Sequence, residues 1–549
     1  MPLQKNQVLT LQVERLSSDG SGVAHSPEGE TVFIPGAAPG DEARVRIVKD
    51  CKRYAFGILD EVLKPSPDRI PVDCAVAGPC GGCSLRHLDY AAELRAKQEN
   101  VADAFARIGG LDVPVLPIVG SPEIDRYRNK VQFPVGTDKA GRPCIGFYAG
   151  RTHRIVPCPD CRLQPGVLNE IGNTLCAFFA EKGIHPYNEE TGKGLVRHIF
   201  LRRGAHSGQI MVCLVCTRAK LPSAEELCTR LKEAFPDIVT ILLNVNAKNT
   251  NVILGSETHT LYGQGYIEDT LCGVPVQLGP LSFYQVNTLA AEQLYGIAAE
   301  YAQLTPDDLL LDLYCGMGTI GLSMADHCRE LVGVEIVPEA IESAKANAAR
   351  MGAAVSAKSR FFCADAGQAA AQLAAEGLHP DVVMLDPPRK GCDEATLSAV
   401  VRMAPRRGVY VSCNPATAAR DAAWLEQNGY HTEKVQPVDL FPRTKHVETV
   451  CLLSKLNVKH HIEVEITMDE LDLTAAESKA TYDEIKAYVL EKFGFKVSQL
   501  YIAQIKRKCG IIERKNYNQS KKEDAKVPKC PPEKEAAIMD ALKHFQMIP

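Results

Sequence analysis

The sequence has no long apolar run and no excess of positive charge, and each absence excludes a class of function. In 549 residues no apolar stretch approaches the ~20 residues that a membrane-spanning helix needs. The N-terminal stretch MPLQKNQVLTLQVERL lacks the basic-then-apolar pattern of a secretory signal. The formal net charge of −5 argues against a uniformly basic nucleic-acid binder and leaves only local basic patches for that purpose. We therefore expect a cytoplasmic protein without a membrane partner.

Cysteine, in contrast, is abundant, with 20 residues in the chain. In the cytoplasm thiols rarely form disulfides, so metal binding, catalysis and plain burial are the uses that remain. The chain is also too long for one hydrophobic core, because a domain typically holds about 100–200 residues. Three or four structural units are expected.

Changes in composition divide the chain into four predicted regions of a multidomain α/β protein. Residues 1–64 contain short strands broken by Gly and Pro, which is typical of a small β-barrel. Residues 65–280 begin with a Pro-, Gly- and Cys-rich segment and continue as mixed strands and helices. In residues 281–455 strands and helices alternate, as in a doubly wound α/β domain. Residues 456–549 are charged and mostly helical, and the pattern contains no internal repeat.

A cofactor pocket is predicted in the third region. The stretch LLLDLYCGMGTIGL (309–322) reads as a strand, a turn and a helix, and Gly316 and Gly318 let the backbone approach a ligand closely. The next strand ends in Glu335, and an acid about 20 positions after such a turn suits the hydroxyls of a ribose. A Gly-rich turn alone is often only a tight turn. Here the spacing is not GxGxxG and no Lys follows to hold a pyrophosphate, which favours S-adenosylmethionine over NAD or ATP.

Two later strands lead to the same cleft. DVVMLDPPRKG (381–391) closes on Asp386 and two prolines, at the strand end where open α/β sheets bind ligands. GVYVSC (408–413) is the next strand and places Cys413 at its exit. A lone cysteine in a strand is usually a buried structural thiol, but the Asn414-Pro415 break at a strand exit favours a nucleophile. Such a thiol needs a pKa below its free value of about 8.5 to be mostly thiolate at neutral pH.

Three cysteines in CAVAGPCGGCSLRHL have the spacing C-x5-C-x2-C, and they are Cys74, Cys80 and Cys83. The Gly pair between the last two makes a tight turn that directs two thiolates to one centre. Tetrahedral thiolate ligation suits zinc or an iron–sulfur cluster. Cys158 and Cys161 are the candidates for a fourth ligand, and unliganded buried thiols are the alternative reading.

Together these motifs resemble the S-adenosylmethionine-dependent RNA uracil-5-methyltransferase family over roughly residues 5–455. The motifs occur in the family's order, and they are YRNK, SFYQVN, DLYCGMGTIGL, VEI, LDPPRKG, VSCNPAT and KHVETV. The stretch DGSGVAHSPEGETVFIPGAAPGDEARVRI is similar to a TRAM domain, an OB-like RNA-binding barrel. The resemblance implies a TRAM barrel at 1–64, a central RNA-binding α/β domain at 65–280 and a Rossmann-like class I methyltransferase domain at 281–455.

The resemblance also implies roles for individual residues. Cys413 is expected to attack C6 of uracil, and Glu448, in KHVETV, is expected to remove the proton from C5. The expected contacts of the cofactor are Gln285, Tyr314, Glu335 and Asp386. Asp386 is further expected to lie near both the cofactor and the base.

The resemblance further implies a [4Fe–4S] cluster. Its distal cysteine follows an H-x-I-V segment and precedes x-L-Q, which selects Cys161 as the fourth ligand, although the neighbouring Cys158 leaves that choice open. The cluster and the TRAM barrel together mark the branch of the family that methylates 23S rRNA, here before or during ribosome assembly, because the tRNA branch usually lacks both. We expect the enzyme to be a monomer.

Beyond residue 455 the chain departs from the family. Thr481 to Glu484 form a predicted capping box for one helix, and Ser498 is the predicted cap of a second. Residues 496–529 contain 10 Lys or Arg against 3 Asp or Glu. This excess favours an added RNA-binding module, and a solvated charged face without a partner is the alternative.

Three other functions compete with methylation of 23S rRNA. The first is uracil-5 methylation of tRNA. The second is a TRAM-bearing radical methylthiotransferase, which would need a C-x3-C-x2-C motif that the sequence does not have at its cysteine cluster. The third is an RNA-binding protein without enzymatic activity. The sequence names neither the target uridine nor the number of target sites.

Overall fold

The computed structural model describes residues 3–150, 152–248, 251–456, 482–509, 530–545 and 547–548. The chain divides into two compact units, Met1–Asn457 and Val458–Pro549. In the described part of the chain, no helix combines the length and the apolar character needed to cross a membrane.

The first strands close into a five-stranded barrel. They are β1 (Val8–Leu16), β2 (Ser21–His25), β3 (Thr31–Pro35), β4 (Glu42–Asp50) and β5 (Tyr54–Lys64). Their order around the barrel is β1-β2-β3-β5-β4, and β1 closes it by pairing with β4. Alternate side chains along each strand point inward, and Val13, Val32 and Val45 lie in the core. The predicted N-terminal barrel is confirmed.

A second layer is built around a seven-stranded sheet. After α1 (Tyr90–Ala104), which continues as one π-helical turn (Phe105–Gly109), the elements are β6 (Lys130–Thr137), β7 (Pro143–Tyr148), β8 (Ile155–Pro157), α2 (Gly166–Glu181), β9 (Val196–Arg203), β10 (Ile210–Cys216), α3 (Ala224–Ala234), β11 (Ile238–Val245) and β12 (Glu257–Tyr262). The strand order is β12-β11-β10-β9-β6-β7-β8. Helices α2 and α3 cover one face of this sheet. On its other face Phe200 and Met211 join the core that continues into the following region.

The third layer is a doubly wound sheet. Its elements follow a hairpin of β13 (Ile267–Leu271) and β14 (Val274–Leu278), and they are α4 (Thr288–Ala302), β15 (Leu309–Leu313), α5 (Thr319–Ser323), β16 (Glu330–Glu335), α6 (Pro338–Arg350), α7 (Ala353–Lys358), β17 (Ser359–Cys363), α8 (Ala366–Ala375), β18 (Val382–Leu385), α9 (Glu394–Met403), β19 (Arg407–Ser412), α10 (Pro415–Gln427), β20 (Tyr430–Val438) and β21 (Glu448–Lys455).

The strand order of this sheet, β17-β16-β15-β18-β19-β21-β20, fixes where a ligand can bind. From β15 the chain winds outward through β16 and β17, and then returns to place β18 on the other side of β15. Neighbouring strands from β17 to β19 are parallel, whereas β21 is antiparallel to β19 and β20. The crevice at the carboxyl ends of β15 and β18 is the switch point where such sheets bind ligands.

The second unit is helical. It contains α11 (Tyr482–Phe493), α12 (Gln499–Lys508) and α13 (Pro532–His544). Their apolar faces share a small core that includes Ile485, Ile502 and Ile538. The hydroxyl of Ser498 accepts a hydrogen bond from the amide of Tyr501 at 3.3 Å, as expected of the predicted cap. Thr481 of the predicted capping box lies outside the described residues.

Candidate active site

The turn after β15 has the backbone that a close ligand approach needs. Tyr314, Gly316 and Gly318 all have positive φ, at 65°, 56° and 79°. A Cβ on Gly318 would also lie only 3.1 Å from Leu322, so this position requires glycine on both counts. Helix α5 begins directly after this turn, and the turn allows a ligand in the crevice to approach its backbone closely.

Glu335 is held beside this turn. One oxygen of its carboxylate accepts a hydrogen bond from the amide of Gly316 at 3.2 Å, and the other accepts from the amide of Val337 at 2.9 Å. The acid predicted from the sequence and the Gly-rich turn are thus brought together at the ends of β15 and β16.

A buried acid of β15, Asp312, was not singled out from the sequence. Its Oδ2 accepts a hydrogen bond from the amide of Gly321 at 3.0 Å, while its Oδ1 is buried and has no hydrogen-bond partner. Burial raises the pKa of Asp312 to about 8, and the charge of Asp386 contributes to the rise. The signal available in the sequence was one carboxylate inside the otherwise apolar strand LLLDL.

Asp386 lies on the other side of the switch point. Its amide donates to the carbonyl of Leu313, the last residue of β15, at 3.4 Å. Burial raises the pKa of Asp386 to about 7. The phenol of Tyr314 lies 3.3 Å from the hydroxyl of Thr396. The structure therefore places Asp386 and Tyr314 at the same crevice.

Gln285 lies on a loop that is tied to two other segments. Its carbonyl accepts a hydrogen bond from the side chain of Asn129 at 2.7 Å. Asn287, which caps α4, donates to the carbonyl of Leu440 at 3.0 Å. The motifs YRNK and SFYQVN, which are far apart in sequence, are thus in direct contact, and both reach the loop that precedes β21.

Cys413 and Glu448 face each other across two paired strands. Ser412 of β19 pairs with Thr449 of β21, so the next position on each strand places Cys413 opposite Glu448. The hydroxyl of Thr449 donates to the carbonyl of Ser412 at 3.1 Å and fixes this register. Asn414 then caps α10 and ends the strand. The two residues predicted for catalysis are brought together at the carboxyl end of β19.

The charges around this pair differ from the expectation for a reactive thiol. Burial, and next the charge of Glu448, raise the pKa of Cys413, while Arg389 lowers it. Burial and the charge of Asp386 raise the pKa of Glu448 to about 8, again opposed by Arg389. The lowered thiol pKa expected from the sequence is not found, because burial, and after it the charges of Glu448 and Asp386, raise the pKa of Cys413. Arg389, inside the quoted DPPRKG motif, is the cation that sequence reasoning missed.

The loop between β20 and β21 is anchored by buried charges that the sequence did not reveal. The ammonium of Lys97 donates to Glu93 at 2.7 Å and to Asp439 at 2.8 Å. Glu93 also accepts the amide of Arg443 at 2.7 Å. All three charged side chains of this network are buried. Helix α1 therefore holds the loop that leads into Glu448.

The barrel meets the same loop and presents aromatic rings to solvent. A Cβ on Gly20, in the β1–β2 turn, would lie 3.4 Å from Cβ of Lys445. On the outer face, the ring centroids of Phe33, Tyr54 and Phe56 lie 5.7–5.8 Å apart, and Tyr54 is 41% exposed. Exposed aromatic rings on an OB-like barrel suit stacking of single-stranded bases.

The structure does not support the predicted iron–sulfur site. In the described ranges, no group of three or more His, Cys, Asp or Glu side chains is arranged to hold a metal ion. The free thiols of Cys158 and Cys161 interact with each other, and this interaction lowers the pKa of Cys161 to about 6. The pKa of Cys80 is raised by burial and by the neighbouring thiols of Cys161 and Cys74. The predicted ligands thus lie near one another without forming a ligand set.

Family models match two parts of the chain. The model described as tRNA (Uracil-5-)-methyltransferase matches residues 276–456. The model of the TRAM domain matches residues 2–59. The first match covers the crevice and the Cys413–Glu448 pair, and the second covers most of the barrel.

Whole-chain comparisons give the same picture. An uncharacterized RNA methyltransferase of Halalkalibacterium halodurans is 43% identical over 457 residues, which is 83% of this chain and 99% of that protein. One of Bacillus cereus is 42% identical over 83% of this chain and 98% of its own length. Among solved structures, the Pyrococcus abyssi tRNA (uracil-54, C5)-methyltransferase in complex with S-adenosyl-L-homocysteine is 27% identical, with a TM-score of 0.64 over 81% of this chain and all of that one.

Proposed function

Because the chain belongs to the S-adenosylmethionine-dependent RNA uracil-5-methyltransferase family, we propose that Cys413 and Glu448 transfer a methyl group to C5 of a uridine through a covalent adduct at C6. The observation that carries this proposal is the pairing of β19 with β21, which sets the thiol and the carboxyl group opposite each other. Both lie at the ligand-binding edge of the sheet that holds the Gly-rich turn.

The reaction uses the thiol of Cys413 first and the carboxylate of Glu448 afterwards. Uracil C5 is a poor nucleophile, and addition of the Cys413 thiolate to C6 opens the C5–C6 double bond and places negative charge on C5. C5 then takes the methyl group from the sulfonium of S-adenosylmethionine, which leaves as the neutral thioether. The carboxylate of Glu448 removes the remaining proton from C5, the double bond re-forms, and the thiolate departs. Two moderate steps replace one difficult step.

The electrostatics fit a site that is activated by its substrates. Glu448, with a pKa of about 8, can both accept and release a proton near neutral pH, which is what a general base needs. Arg389 acts on both Cys413 and Glu448. The cationic sulfonium of bound S-adenosylmethionine adds a second positive charge that favours the thiolate.

The crevice offers a group for each part of the cofactor. We assign the ribose hydroxyls to Glu335, which stands beside the Gly316 amide. Gln285, Tyr314 and Asp386 are the other proposed contacts of the cofactor. Asp386 also raises the pKa of Glu448, in keeping with a position between cofactor and base.

We propose 23S rRNA as the substrate, before or during ribosome assembly. Attack on C6 needs a uridine whose ring faces are uncovered, and flipping costs least in an unpaired strand. The TRAM match and the exposed aromatic rings of the barrel support a single-stranded RNA substrate. Transfer RNA is the second candidate, which the likeness to the Pyrococcus abyssi tRNA methyltransferase favours.

The proposed function is tested by nucleoside analysis. Total rRNA and tRNA from a strain without this gene are incubated with the protein and with S-adenosylmethionine labelled in its methyl group. We expect the label in 5-methyluridine of the 23S rRNA fraction. Label in tRNA would select the second candidate, and label in any other nucleoside would overturn uracil-5 methylation.

An iron–sulfur cluster stays a proposal that rests on donor chemistry. Thiolates are the ligands that such clusters use, and Cys80 and Cys161 are close enough for one to raise the other's pKa. The proposed ligands are Cys74, Cys80, Cys83 and Cys161. The cluster has no step in methyl transfer and would serve folding or RNA docking.

Metal analysis of protein purified without air tests the cluster. Iron is expected at about four atoms per chain, from the cluster type, and Cys161→Ser should lose more iron than Cys158→Ser. Stoichiometric zinc without iron, or no metal at all, would overturn the cluster proposal.

A further inference from the structure

Two cations face each other across the central sheet. Lys130 of β6 and Arg202 of β9 are cross-strand partners, so their Cβ atoms are about 4.5–5.5 Å apart on one face of the sheet. Arg202 is only 1% exposed. Like charges in this arrangement oppose folding, so the pair costs stability that some other gain must offset.

The fold does not neutralise these charges. Arg202 donates one hydrogen bond, from Nη2 to the carbonyl of Ser282 at 2.7 Å, while its Nε and Nη1 are buried without a hydrogen-bond partner. Burial lowers the pKa of Arg202 to about 10. Burial, Arg202 and then Arg128 lower the pKa of Lys130 to about 8. In the part of the chain that the structure describes, no carboxylate offsets either shift and no ion pair includes Arg128, Lys130 or Arg202.

These three residues, which we call the cation trio, lie beside the reaction centre. Asn129, between two of them in sequence, is the residue that donates to the carbonyl of Gln285. Tyr127, just before the trio, donates to the carbonyl of Pro442 at 2.9 Å, in the loop that leads to Glu448.

Exposed apolar residues and several cations lie near the trio. Leu281 and Phe283, on either side of Ser282, are 67% and 71% exposed. His446, two residues before Glu448, has a pKa lowered to about 4 by burial and by surrounding cations that include Arg389 and Arg128. Arg128 and Lys130 are half-buried, so an anion can contact them from solvent without a competing carboxylate, although Arg202 itself is buried.

We propose that the cation trio binds a backbone phosphodiester of the RNA substrate and so fixes the strand beside the target uridine. This inference rests on the proposed function only in taking RNA as the substrate. A phosphodiester can accept charge-assisted hydrogen bonds from the half-buried Lys130 and Arg128, and the buried Arg202, whose Nε and Nη1 have no partner, adds to the positive charge there.

The carboxylate of S-adenosylmethionine has the same oxyanion chemistry, and two observations favour the phosphodiester. Arg202 is hydrogen-bonded to Ser282, which lies between the exposed Leu281 and Phe283. The acids of the cofactor crevice, Asp312 and Glu335, take no part in the pKa shifts of Lys130 and Arg202.

Replacing Lys130 by Gln tests the proposal in the full-length protein. The affinity for a short uridine-containing single-stranded RNA should fall roughly tenfold, as expected for one lost hydrogen bond between charged groups. The slope of log affinity against log salt should become shallower by about 0.7 for one lost phosphate contact. The affinity for S-adenosylhomocysteine should not change. The melting temperature should stay equal or rise, since a like-charge pair is removed.

Lys220→Gln is the matched control, because Lys220 is exposed and lies beyond the opposite end of β10. If Lys130→Gln does not fold, the half-buried Arg128→Gln decides the question with the same readouts. RNA affinity and salt slope equal to those of the control would overturn the proposal. A loss confined to S-adenosylhomocysteine binding would assign the trio to the cofactor carboxylate and overturn it too. Because binding is measured without methyl transfer, a wrong product would contradict the proposed function alone.

Discussion

At the scale of single residues, the reaction centre contains three buried acids whose pKa values are raised into the neutral range. Asp312, Asp386 and Glu448 are buried, and burial raises their pKa values to about 8, 7 and 8. Desolvation is the largest cause of each rise, and at Glu448 it outweighs the opposing charge of Arg389. A carboxyl group with such a pKa can take up the C5 proton and still release it to solvent at physiological pH.

Glu448→Gln should therefore change stability in a pH-dependent way. The folded pKa of Glu448 lies above its unfolded value, so its contribution to stability is fully present below about pH 4.3 and is lost as pH rises through about 8. Gln imitates the protonated form at every pH. We expect the variant to melt several degrees above the wild type at pH 8.5 and close to it at pH 5, by differential scanning fluorimetry. An equal difference at both pH values would mean that Glu448 is ionised in the folded protein.

At the scale of elements, sequence patterns and structure agree wherever the pattern is local. The apolar run before Gly316, the DPP turn and the Asn414-Pro415 break each mark a strand end, because β-strands and their turns are encoded by neighbouring residues. Contacts between distant elements left no such pattern. Lys97 and Asp439 are 342 positions apart, and the cross-strand pair of Lys130 and Arg202 requires knowledge of which strands are neighbours.

The iron–sulfur prediction shows the same limit. Cysteine spacing describes which thiols can reach one centre, but not which hydrogen bonds they form once the loops have folded. In the structure the free thiols of Cys158 and Cys161 lie close enough to shift each other's pKa, and the C-x5-C-x2-C pattern could not reveal that contact. The lowered thiol pKa expected for Cys413 is not found for a similar reason, because burial by the folded chain raises the pKa first and the charges of Glu448 and Asp386, which follow other strands, add to the rise.

The buried network around Lys97 gives a prediction at this scale. Lys97→Met leaves Asp439 buried without its cation and leaves Glu93 with only the longer pair to Arg443, at 3.7 Å. Removal of one partner of a buried ion pair costs about 3–5 kcal/mol. We expect a melting temperature lowered by several degrees. Lys345→Met is the control, because Lys345 forms an exposed pair with Glu342, and such pairs contribute about 0–1 kcal/mol. Equal melting temperatures for the two variants would show that the network does not stabilise the loop before Glu448.

At the scale of the whole molecule, three parts of the first unit contact the loop between β20 and β21. The barrel touches it at Lys445, α1 holds it through Lys97, and the central sheet reaches it through Tyr127. RNA bound by the barrel or by the cation trio would therefore lie within reach of the loop that carries Glu448. The helical second unit is compact by itself and is the remaining candidate for RNA contact.

Deletion of residues 457–549 tests that candidate. The excess of basic over acidic residues at 496–529, 10 against 3, should add phosphate contacts. The truncated protein should bind an rRNA fragment more weakly and with a shallower salt dependence. Its affinity for S-adenosylhomocysteine should be unchanged, because the crevice lies wholly in the first unit. Identical affinities and slopes for the two proteins would show that the tail is a solvated charged face.

The central claim is the covalent bond between Cys413 and C6, and one mass measurement tests it most directly. RNA containing 5-fluorouridine is incubated with S-adenosylmethionine and with either the wild-type protein or Cys413→Ala. With fluorine at C5 the base has no proton to remove after methyl transfer, so the adduct should accumulate. We predict a protein–RNA species with one added methyl group for the wild type, with the crosslink on the peptide containing Cys413, and none for Cys413→Ala. A wild-type protein that forms no adduct while still producing 5-methyluridine, or an adduct that persists in Cys413→Ala, would contradict the account.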